Sequence, residues 1–191
     1  TRLFRGRIGN HLGDDRLRDL DSPLMKTVPD FYVDIQNDVA LLQRLELRGV
    51  DVEDRWGPVA DLARPRIGNH ASPFTSAHCA LALAAAGRDA EAADCVARMR
   101  DFVAANANSL APRYALAALP AAEAAVAFRR GEFQRVVDVM MPARRNLWMM
   151  GGSHAQRDLF FQLLANAALR LGRTDLLATL FDDFDAIGLD H

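Results

Sequence analysis

The side chains of this sequence from which metal, nucleophilic or anion chemistry would have to be built are five histidines, two cysteines and a few arginines beside glycines. His70 and His78 stand eight residues apart with Pro73 between them, so one continuous helix does not carry both. A zinc site needs three or four ligands, and neither Cys79 nor Cys95 is spaced to complete a recognisable motif with them. No metal ligand set is expected, and the two histidines read as polar structural residues near a loop. The alternative places them, with His154 and Arg157, in a small-ligand or enzyme pocket between the second and fourth hairpins. Ser153-His154 follows Gly151-Gly152, but a nucleophile elbow needs glycine two residues after the serine and a strand before it. That position is Ala155, so no catalytic residue is assigned. Ser153 with Gln156 three residues on reads instead as a capping box.

Gly151 and Gly152 precede a helix start, with Arg157 in its first turn, where free N–H groups and the helix dipole favour an anion. No nucleotide-loop spacing accompanies them, and no cofactor is expected. Arg144 and Arg145 follow Pro142, where cations oppose the negative end of a helix. The functional alternative for this pair is a basic contact for an acidic peptide. Trp148, Met149 and Met150 fall in a connection, where large apolar residues either plug a neighbouring hairpin or meet a partner.

Half the residues are apolar and a quarter charged, the composition of a chain that folds. A net charge of -2 and a pI near 6.2 supply no general attraction to phosphate backbones or anionic lipid, so neither nucleic acid nor membrane is the expected partner. Of the 23 basic residues only Lys26 is a lysine, a bias expected of a G+C-rich bacterial genome. Apolar runs such as 79–86 are far short of a membrane span, no charged-then-apolar leader opens the chain, and there is no disulfide framework. The expected location is cytoplasmic.

The elements that must position these residues are punctuated by Gly49, Gly87, Gly131 and Gly172, at spacings of 38, 44 and 41 residues, each between two segments of helical period. The first hairpin spans about 32–63, with Pro58 placed badly for a helix interior. The second spans about 74–105 and the third about 113–142, its first helix starting at Pro120 and its second stopped by Pro142. The fourth spans about 153–188. Residues 1–30 read as an irregular connection ahead of a 31–191 repeat domain, and the chain as the carboxy-terminal piece of a longer array. Its cut face would be apolar and able to pair with a second copy as a homodimer. No segment alternates with the period of a strand, so the fold class is all-α: stacked antiparallel helical hairpins in a tetratricopeptide-like α-solenoid.

Three stretches carry a family resemblance: the run from Arg44 to Trp56, the segment His70 to His78 around Phe74, and Gly151 to Asp158. Together they resemble the tetratricopeptide repeat protein 38 family over roughly residues 34–171. The sequence departs from that family's pattern at Thr75-Ser76-Ala77 and at His154. The resemblance implies a binding scaffold, expected to take a protein or peptide, and carries no activity over to this sequence.

Overall fold

The computed structural model describes residues 32–105 and 108–188. Among them every regular element is helical: α1 (Tyr32–Leu47), α2 (Trp56–Ala63), α3 (Pro73–Ala85), α4 (Asp89–Ala105), α5 (Ala111–Arg113), α6 (Leu119–Arg129), α7 (Phe133–Ala143), α8 (His154–Arg170) and α9 (Thr174–Gly188). The fold is all-α. The connection expected over residues 1–30, and with it the apolar face read as a dimer surface, lies outside the described residues.

The four punctuating glycines end α1, α3, α6 and α8 in one repeated way. Each glycine has φ between +69° and +78°. Its N–H bonds the carbonyl three residues back, while the following N–H bonds the carbonyl five back, as in Val50 to Leu45, Arg88 to Leu83, Glu132 to Ala127 and Arg173 to Ala168. This paired closure reverses the chain within two residues and satisfies carbonyls that a bare helix end would leave open.

The prolines depart from expectation. Pro58 is the third residue of α2, inside the first turn, where its missing N–H costs nothing. Pro120 lies in the first turn of α6, as expected, but α6 is not where the helical path starts. Helical structure begins at Ala111 and passes through a π turn at Tyr114–Ala118, in which the Leu119 N–H reaches back five residues to the Tyr114 carbonyl. Pro120 can neither donate to Leu116 nor fit its ring against that carbonyl in an α turn, and the widened turn removes both conflicts. Pro142 does not stop α7, which runs to Ala143 and then tightens into a 3₁₀ helix over Arg144–Met150.

Cross-contacts fix the arrangement. Gln36 of α1 bonds Thr75 of α3 near their starts, while the Arg129 guanidinium at the end of α6 bonds Gln43 and Glu46 of α1 and the Ala85 carbonyl of α3 near their ends. Gly152, just before α8, lies against the Phe74 ring, and His78 meets Phe160 a turn further along both helices. Helices α1, α3, α6 and α8 therefore run parallel. Each packs on the next, and α1 also touches α8, so the four close around one another. Arg44 fastens that closure, its guanidinium donating to the Ala155 carbonyl at 2.6 Å and lying 3.9 Å from Asp158.

Inside this arrangement α3 is buried from Pro73 to Ala84. Its alanines let neighbouring backbones approach closely, while Leu81 and Leu83 at 0 % exposure each contribute about 1.5–3 kcal/mol of transfer free energy. At one end, Glu46 accepts from Trp56 Nε1 at 3.0 Å and pairs with Arg129, whose guanidinium lies 5.5 Å from the Trp56 ring.

Candidate functional site

Among the described residues, His70, His78 and His154 stand in three different settings. His78, on α3, is buried: Nδ1 donates to the Phe74 carbonyl at 2.8 Å, and Nε2 meets no hydrogen-bond partner among the described residues. The rings of Phe74 and Phe160 flank it at 4.3 and 5.1 Å. Burial pushes its pKa down to about 4, against the opposing hydrogen bond to Phe74, so the imidazole is neutral near pH 7. His70 lies instead between the α4 and π-turn aromatics, stacked on Phe102 at 4.4 Å and edge-on to Tyr114 at 5.4 Å. Desolvation lowers its pKa as well. His154 is exposed at the first position of α8. Among the described residues no cluster of three or more His, Cys, Asp or Glu could hold a metal ion.

The 3₁₀ segment sorts its side chains by a three-residue period, because positions i and i+3 eclipse. Leu147 and Met150 face the core and Met149 packs partly against it, so this connection does plug its neighbours. Arg145 and Trp148 share the outward side, Trp148 being 65 % exposed. The Arg144 guanidinium caps the end of α7 by donating to the Met141 carbonyl.

At the start of α8 the capping box forms in full: the Ser153 hydroxyl accepts from the Gln156 N–H, and the Ser153 N–H donates to the Gln156 side chain at 2.7 Å. Arg157 turns back to the Gly151 and Gly152 carbonyls. It occupies the space in which an anion over the two glycines would need its charge.

A concave polar feature lies elsewhere, where the loop after α2 meets the start of α3. A cavity of ≈ 310 Å³ is lined by Arg66, Asn69, Ala71, Ser72, Thr75, Ser76 and Cys79. Thr75, Ser76 and Cys79 form its buried floor, while Asn69 and Ala71 are exposed at its mouth. Ser72 caps α3 by accepting from the Thr75 N–H, and Ser76 shares a 2.8 Å hydrogen bond with the buried Tyr114 hydroxyl. Burial pushes the Cys79 and Cys95 thiols up to about 12, so neither is a ready nucleophile. Sequence reasoning stopped at the histidines of this segment. The available signal was the polar stripe Ser72, Thr75, Ser76, Cys79, which recurs at helical spacing on an otherwise apolar helix.

What the fold defines, among the described residues, is an all-α protein. No protein-family model matches the chain, and no solved structure matches it. No helix among the described residues is long and apolar enough to cross a membrane.

Proposed function

We propose that the chain is a tetratricopeptide-like helical scaffold that binds a protein or peptide. The repeated glycine closures and the parallel first helices support the repeat reading, together with the resemblance of residues 34–171 to the tetratricopeptide repeat protein 38 family. The observation that carries the binding surface is Trp148, 65 % exposed on a 3₁₀ helix whose other side is anchored by the buried Leu147 and Met150. An aromatic residue held on a fixed backbone loses little conformational entropy when a partner covers it. Because α3 is buried, the partner meets the outer rim and not a channel along the first helices.

The fitting partner presents an apolar side chain for Trp148 and an acidic one for Arg145. Capture from source lysate with the wild-type chain and with Arg145→Glu/Trp148→Ala, followed by titration of the recovered protein against purified chain, tests the reading. A loss of tenfold or more in affinity, about 1.4 kcal/mol, is expected for the variant. Equal affinity of the two chains, or no specific partner, overturns it.

A further inference from the structure

We infer that the partner of the Trp148 surface is an acidic amphipathic segment of another protein, gripped jointly by Trp148 and by Arg113 and Leu116 at the neighbouring π turn. The assignment rests on the scaffold reading above and adds to it the charge of the partner and a second anchor.

Among the described residues the exposed large apolar side chains fall at two places. Leu169, Leu171 and Phe181 lie on α8, just after it and on α9, whereas Leu116, 46 % exposed, and Trp148 stand on the π turn and the 3₁₀ helix, which pack against each other. Tyr114, Ala117 and Ala118 from the one element and Leu147 and Met150 from the other enter the same core. Two packed elements anchored in one core turn their remaining sides outward together, so Leu116 and Trp148 form one apolar surface on a backbone that is already fixed. A π turn inserts one residue into the helical period, and such turns recur at functional sites.

Charge selects what covers this surface. Residues 111–122 and 139–157, which contain both elements, hold four arginines and neither aspartate nor glutamate, in a chain of net charge -2. Arg113 is exposed, and its guanidinium meets no hydrogen-bond or ion-pair partner among the described residues. The same is true of the Trp148 indole N–H. A guanidinium and an indole N–H only donate, so neither can accept from a cationic donor, and together they fit a carboxylate flanked by apolar side chains. An anionic bilayer is the poorer match, because two apolar side chains on short, core-anchored elements offer little area for insertion.

The test selects a phage-displayed library of random peptides on the whole chain, then synthesises the enriched peptides and titrates them. Enriched sequences are expected to combine Asp or Glu with large apolar residues, and to lose affinity tenfold or more with Arg113→Glu and, separately, with Leu116→Ser. A second selection on Arg113→Glu should turn the enriched charge from acidic to basic, a reversal that a merely structural role of Arg113 would not produce. Both side chains are exposed, so the two variants keep the core intact. Peptides that need Trp148 but ignore both substitutions overturn this inference and leave the scaffold reading standing. Basic or uncharged peptides enriched on the wild-type chain, or no enriched peptide, overturn it as well. So does co-sedimentation of the chain with phosphatidylserine vesicles that is lost in Trp148→Ala, since the surface is then a membrane contact.

Discussion

His78 links a buried ring to solution pH. Its folded pKa of about 4 lies below the unfolded value near 6.5, so the unfolded chain takes up a proton that the folded chain refuses. This contribution to stability is whole above about pH 6.5, is lost as pH falls towards 4, and amounts to roughly 3 kcal/mol across that window. His70 acts in the same direction, its pKa also being lowered by burial. Urea melts at pH 7.5, 6 and 5 should show wild type losing more stability than His78→Asn, whose amide replaces the Nδ1 donor without titrating there. Parallel losses in the two proteins would remove His78 as the cause. The Glu46–Arg129 pair is a second residue-level determinant, since it ties the ends of α1 and α6 together beneath Trp56. Both side chains are about one-fifth to one-quarter exposed, so a double-mutant cycle with Glu46→Gln and Arg129→Met should return a coupling of about 1 kcal/mol and not the several expected of a fully buried pair.

The junctions between helices carry their own prediction. At Gly152, φ is +76° and an added Cβ would lie 2.9 Å from the Phe74 ring, whereas Gly87 has φ +71° and open space around the same position. Gly87→Ala should therefore cost only the backbone penalty of about 1 kcal/mol, and Gly152→Ala roughly 1–2 kcal/mol more, both measured by chemical denaturation. Equal costs would show that the Phe74 ring moves aside freely. The glycine closures and the Ser153 capping box were legible in the sequence because both depend on local backbone chemistry alone. The π turn before Pro120 and the 3₁₀ helix after Pro142 were not legible, because the two pack against each other and neither proline alone specifies them. The polar cavity was hidden for a similar reason. Ser72, Thr75, Ser76 and Cys79 advertise a helical face, but only tertiary placement shows that a void and Arg66 stand opposite it.

Across the molecule, contact between the first and last hairpins is held at its edge by Arg44, reaching from α1 to Ala155 and Asp158. Arg44→Met should lower stability by about 1 kcal/mol and speed amide exchange in α1 more than in α6, because α1 depends on this staple for its hold on α8. Uniform exchange along the chain would refute that. A helix enclosed on every side has a further consequence for how the molecule comes apart. In an open stack, each unit rests on its neighbours alone, and the end units can peel away by stages. Here the α3 aromatics rest on α8, from the far end of the sequence, so losing the last hairpin uncovers the middle of the second. The described helices are therefore expected to melt in a single step, with circular dichroism and tryptophan fluorescence giving coincident urea transitions, and the order of helices along the chain is not an order of unfolding.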